Sequence, residues 1–162
     1  MKAISLWQPW ASLVAEGFKK METRDWPPPR ELVGQRIAIH ATQKIVPWLE
    51  LTPAFRHRLE AHLGPGIAEL WCDRVPRGAI VCTAILGPVL RVETVVGGWA
   101  FCRVEYGMAK EPVRVPVDPF GNFAPERVLW PLLKIERLPA PAPCRAHQRF
   151  FQWDPSASGV QP

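Results

Sequence analysis

Apolar residues recur along the chain in short blocks, and the spacing within each block predicts the element it forms. Ala3 to Leu6 is a brief apolar run that reads as a first strand. Pro9 suits the first turn of a helix, where a missing amide costs nothing. Trp10, Leu13 and Val14 then recur at helical spacing until Gly17, placed where a left-handed cap ends a helix. After Lys19 the period becomes two. Lys20, Glu22 and Arg24 share one face of the predicted strand, and Met21, Thr23 and Asp25 share the other. Trp26-Pro27-Pro28-Pro29-Arg30 excludes regular structure and predicts a stiff, extended loop.

Further on, Ile37 and Ile39 alternate in a strand from Arg36 that His40 closes. Phe55, Leu59 and Leu63 mark an amphipathic helix over 53–63, and Ile67 to Trp71 adds a helical turn. Gly78 to Leu86 is almost wholly apolar and β-branched, as in a strand covered on both faces. Val89 to Val96 predicts another strand, and residues 97–112 show no assignable pattern. Val113 to Val117 reads as an edge strand because of Pro112 and Pro116, and Phe120 to Phe123 as a turn. Arg127 to Leu138 alternates as a strand. The Pro-Ala-Pro-Ala-Pro run from Pro139 predicts a linker, followed by a basic, aromatic tail from Arg145 to Asp154. No internal repeat is visible. Short strands, few helices and many Pro/Gly turns together predict an α+β, mostly β chain: a mixed barrel or strongly curved sheet with short helices packed on it.

Composition narrows the class. The 162 residues are 48% hydrophobic and 22% charged, which suits one globular domain, placed at 1–154 with a loose tail at 155–162. Nineteen prolines and eight tryptophans are far more than usual and imply many ordered loops. The first ten residues carry a single lysine and no extended apolar core, unlike a signal peptide. No apolar run approaches a membrane span, so a cytoplasmic protein without membrane partners is expected. A net charge of +5 is compatible with a polyanionic partner, but the bases are scattered. That pattern predicts a local pocket rather than an electrostatic stripe. The four cysteines form no Cys-x-x-Cys pair and read as small core residues. Cys144 and His147 alone cannot complete a metal site, so neither metal nor other cofactor is expected.

The densest chemistry lies between Lys19 and Arg24. A lysine close to a glutamate can pass a proton, and an arginine beyond the acid can hold it ionised or clamp a phosphate. Lys19 has the wrong parity for a regular strand and reaches the Glu22 face only if the chain turns or bulges around 19–21. Trp7, Trp10 and Trp26 lie near in sequence and could form an aromatic wall for an unstacked base, although core packing is the commoner role of any one tryptophan. No phosphate-binding glycine loop or Gly-x-Ser-x-Gly elbow is present. Ser5 and Thr42 have no partner that the sequence identifies.

Gly17-x-Lys19-x-x-Glu22-x-Arg24 resembles the Gly-x-Lys-x-x-Glu-x-Arg signature of the ASCH domain, the activating-signal-cointegrator homology domain of the PUA-like superfamily. The opening Ile4-Ser5-Leu6-Trp7-Gln8-Pro9-Trp10-Ala11 is similar to that of its bacterial and phage members. Ile39-His40-Ala41 and Gly121-Asn122-Phe123, followed by Arg127 and Trp130, extend the likeness to residues 2–154. The resemblance implies a PUA-like mixed β-barrel and RNA or a nucleotide-like ligand in a cleft. Gly17, Lys19, Glu22 and Arg24 would line it, with Trp7, Trp10, Trp26, His40 and Asn122 as further binding residues. It also implies a second reading, a ribonuclease or acetylcytidine amidohydrolase with Lys19 and Glu22 catalytic. A third is a protein-interaction domain that regulates transcription. The amidohydrolase branch has a threonine nucleophile where this chain has Glu22, which argues against that activity but leaves hydrolysis by a water activated between Lys19 and Glu22.

Overall fold

The computed structural model describes residues 1–106, 111–145 and 147–156. Among them the chain runs β1 (Lys2–Gln8), α1 (Trp10–Ala15), β2 (Met21–Arg24), β3 (Arg36–Ile45), α2 (Pro53–Leu63), α3 (Ile67–Arg74), β4 (Ala79–Leu86), β5 (Val89–Val96), β6 (Trp99–Tyr106), β7 (Val113–Pro116), β8 (Val128–Pro143) and β9 (Phe150–Gln152). Two compact units are formed. One takes Met1–Phe18, Ile37–Thr83 and the chain from Glu136; the other takes Lys19–Arg36 and Ala84–Ile135. The long strands β4 and β8 therefore contribute to both.

In the first unit the strands pair in the order β4-β3-β1-β9. β1 is parallel to β3, with Ser5 beside His40, and antiparallel to β9, with Ala3 beside Phe151. The small side chains Ala3, Ala38 and Ala142 leave room for Ile80, Leu138, Phe151 and Trp153, and together these form a buried cluster. α1 packs against β1 and α2 against α3. Thr52 caps α2 by accepting a hydrogen bond from the Phe55 amide at 3.2 Å, and Pro53 opens the first turn. At the end of α1, Phe18 N–H donates to Leu13 O and Gly17 N–H to Val14 O. This is a Schellman cap, and it needs the left-handed φ of +75° that Gly17 adopts.

In the second unit the order is β7-β6-β5-β8, with β2 also on β8. β5 and β6 form a hairpin over Gly97-Gly98, whose φ values of +57° and +80° fit a turn that glycine makes without strain. Leu90, Val92, Ala100, Cys102, Phe123 and Leu129 make its core, with Met21 packed against them.

Mixed pairing, predominant strands and a few short helices agree with the expected class. Among the described residues the path of pairings does not close on itself as a complete barrel would. Four expectations change. β3 continues five residues past His40, because β1 pairs with it as far as Ile45. Residues 99–106, without an assignable pattern in the sequence, form β6, whose aromatic Trp99 and Phe101 point outward while Ala100 and Cys102 are buried. The proline run is not a linker but the end of β8. Pro139, Pro141 and Pro143 share one parity, so the missing amides fall on one side of the strand while Ala140 and Ala142 keep theirs for the other. The aromatic tail contributes β9, and Phe151 and Trp153 are buried. Residues 107–110, 146 and 157–162, which include part of the unassigned stretch and most of the expected loose tail, lie outside the described residues. Among the described residues no helix is long and apolar enough to cross a membrane.

Candidate functional site

β2 is four residues long and pairs antiparallel with β8, which sets Glu22 opposite Trp130 and Arg24 opposite Val128. Lys19 lies before the strand begins, in the turn that follows Gly17, and so escapes the strand's parity. From there Lys19 Nζ stands 3.4 Å from Glu22 Oε2 and also donates to the Met21 carbonyl. Arg24 Nε is 2.8 Å from Glu22 Oε1. Each oxygen of Glu22 thus faces its own cation. The Lys19 side chain is 1% exposed, that of Glu22 10% and that of Arg24 28%. The group carries one formal net positive charge, and of its three side chains Arg24 is the most exposed to water.

Two tryptophans stand with it. Trp130 is fully buried opposite Glu22, and the half-buried Trp26 meets it edge to face, with centroids 4.9 Å apart. Trp130 was not among the candidate binding residues. It is 108 positions from Glu22, and only the antiparallel register of β2 with β8 brings it there; the sequence showed it solely as part of the family resemblance.

The remaining candidates are spread more widely. Asn122 belongs to the same unit, but its amide N–H donates to Thr23 Oγ1 at 2.9 Å, so it joins β2 on the face away from Glu22. Its own Oδ1 accepts from Ala124 N–H. Arg127 donates to the Thr23 carbonyl at 3.4 Å on that flank. Trp7, Trp10 and His40 have their described contacts within the other unit. Trp7 is half exposed beneath the Lys44 ammonium, 3.6 Å from the ring centroid. Trp10 packs edge-on to Phe55. His40 is fully buried, and burial lowers its pKa below 6.5. Gly17 supplies backbone shape through its cap.

Cys72, Cys82 and Cys102 are buried and free, as expected of core residues. Burial pushes the first two thiols up to about 12 and the third to about 11. Among the described residues no three His, Cys, Asp or Glu side chains converge as metal ligands do.

Comparison with known proteins adds the family. The ASCH domain model matches residues 4–111, more than half of the chain. No curated protein sequence matches. Solved structures with a similar backbone include the ASCH protein of Zymomonas mobilis, at 13% identity and a TM-score of 0.48, over 98% of this chain and 90% of that one. A tyrosine-to-phenylalanine mutant of that protein gives 13% identity and 0.47, over 94% and 89%. A serine-to-alanine mutant gives 14% and 0.46, over 94% and 87%. These scores are too low to carry weight, so the assignment rests on the domain match, which includes the whole Lys19 to Arg24 group: the chain belongs to the ASCH domain family.

Proposed function

We propose that this ASCH domain binds RNA, as a single strand or through a modified base, at the group formed by Lys19, Glu22 and Arg24. The observation that carries the reading is the ion-paired group with one surplus positive charge, set against Trp26 and Trp130 and opening along Arg24. A guanidinium at such an opening suits a phosphate or a base edge, and the half-buried Trp26, backed by the buried Trp130, offers a stacking face. The net charge of +5 assists encounter with a polyanion.

Titration of fluorescein-labelled single-stranded RNA at several salt concentrations tests the reading. Arg24→Ala should weaken binding and lower the slope of log affinity against log salt by about one, the share of one phosphate contact. A folded wild-type chain with no affinity at low salt would refute it.

The buried Lys19–Glu22 pair also favours a second reading, hydrolysis of RNA or a modified nucleoside, in which these two groups exchange a proton with water. Incubating RNA and acetylated cytidine with the wild-type chain and with Lys19→Met decides it. Turnover abolished by the substitution supports hydrolysis; unchanged substrate with the wild type rules it out.

A further inference from the structure

The parallel register of β1 on β3 sets Ser5 beside His40, and their side chains meet: Ser5 Oγ lies 3.2 Å from His40 Nδ1. The other ring nitrogen, Nε2, is 2.9 Å from the Cys144 carbonyl oxygen. A carbonyl only accepts, so Nε2 carries the proton, and in the neutral ring Nδ1 is left as an acceptor facing the Ser5 hydroxyl. His40 has no exposed surface and packs edge-on to the Phe151 ring, 5.9 Å between centroids. Ser5 is half buried, and its hydroxyl also donates to the His147 carbonyl at 3.1 Å at the protein surface, so its one proton is shared between that carbonyl and His40 Nδ1. A hydroxyl within reach of an imidazole that is itself held by a third group is the arrangement of an activated nucleophile.

We propose that Ser5 is a nucleophile that takes acyl groups from esters, with His40 as its general base and the Cys144 carbonyl orienting the ring. Ser5 Oγ bonds to the ester carbonyl carbon while its proton passes to His40 Nδ1. The bond from that carbon to the alkoxide then breaks, and the alcohol leaves with the proton. The ring is reversed relative to the Ser-His-Asp triad, in which Nε2 faces the serine. Among the described residues the titratable group that acts on His40 is His147, whose charge further disfavours its protonation, while Cys144 reaches the ring through its backbone carbonyl.

Exposure of the native chain to p-nitrophenyl acetate and to a fluorophosphonate probe, followed by peptide mass spectrometry, tests the site. An adduct on Ser5 is expected that is absent in Ser5→Ala. Its rate should fall by roughly 10²–10⁴-fold in His40→Gln, the usual contribution of a general base. With the wild type, the rate should rise to a plateau whose midpoint lies below pH 6.5, because burial keeps His40 neutral above it. This profile decides the matter even if His40→Gln does not fold. No adduct on Ser5, an unchanged rate in a folded His40→Gln chain, or a rate that climbs tenfold per pH unit through pH 9 overturns the proposal.

Discussion

Glu22 stands between two cations, and its neighbours differ in what they have to lose. Lys19 is 1% exposed and Arg24 28%, so removal of the carboxylate charge strands the lysine far more than the arginine. Breaking a buried pair by deleting one partner costs about 3–5 kcal/mol, because the remaining charge cannot return to water. Glu22→Gln should therefore destabilise the fold by about 3 kcal/mol, seen as a lower urea midpoint at an unchanged m-value. Lys19→Met acts differently. It removes the desolvated ammonium together with its cost and leaves the Glu22–Arg24 pair in place. Its stability should stay within about 1 kcal/mol of wild type, because Glu22 keeps Arg24 as its partner and no uncompensated buried charge is left. If RNA affinity nevertheless falls, Lys19 is retained for binding rather than for folding. An equally large loss of stability in both variants would contradict this division.

At the scale of the element, β2 is only four residues long, and what surrounds it keeps it in register. On the face away from Glu22, Thr23 accepts from Asn122 N–H and its carbonyl accepts from Arg127. Gly121 fits closely there: a Cβ at that position would lie 2.9 Å from Thr23 Cγ2 and 2.9 Å from the Phe123 ring. Gly121→Ala should push on β2 from behind, costing about 1–3 kcal/mol as overpacking does. It should also weaken RNA binding at the proposed site, though residue 121 lies on the other face of β2. Thermal unfolding and RNA titration on the same variant check both, and wild-type values in each would show that the site tolerates movement of Thr23.

The same strand shows what could be read from the sequence. The alternation from Lys20 to Arg24 placed Glu22 and Arg24 on one face but gave Lys19 the wrong parity, so its place beside them depended on a turn or bulge around 19–21. Of the two expected ways, the turn is the one taken, since Lys19 precedes the strand. Trp130 was out of reach because its position depends on the register of two strands distant in sequence. β6 was missed because its pattern is inverted, with aromatic side chains outside and small ones inside. The proline run misled because breakers of a strand's interior are tolerated where all the missing donors fall on one side. Ser5 had no visible partner because His40 reaches it through a parallel pairing that local sequence does not encode.

For the molecule as a whole, stability should follow pH in two separate windows set by different groups. His40 is buried, and desolvation lowers its pKa from the ordinary 6.5, opposed by its hydrogen bond to the Cys144 carbonyl. The unfolded chain therefore takes up this proton first. Stability is whole above pH 6.5 and falls as pH drops from there to the folded-state pKa, by at most about 1.4 kcal/mol per pH unit for one group. Glu105 acts lower on the scale. Its carboxylate takes a bidentate hydrogen bond from Arg91 at 2.7 and 2.9 Å, which lowers its pKa below 4.5. Its contribution is present above pH 4.5 and lost as pH falls further. Urea midpoints measured from pH 7.5 to pH 3.5 should thus decline in two stages. In His40→Gln the difference from wild type should be constant above pH 6.5 and shrink below it, with the later stage unaffected; in Glu105→Gln only the later stage should change. A His40→Gln difference that stays constant from pH 7.5 to pH 5 would mean that the imidazole is as easily protonated in the fold as in water.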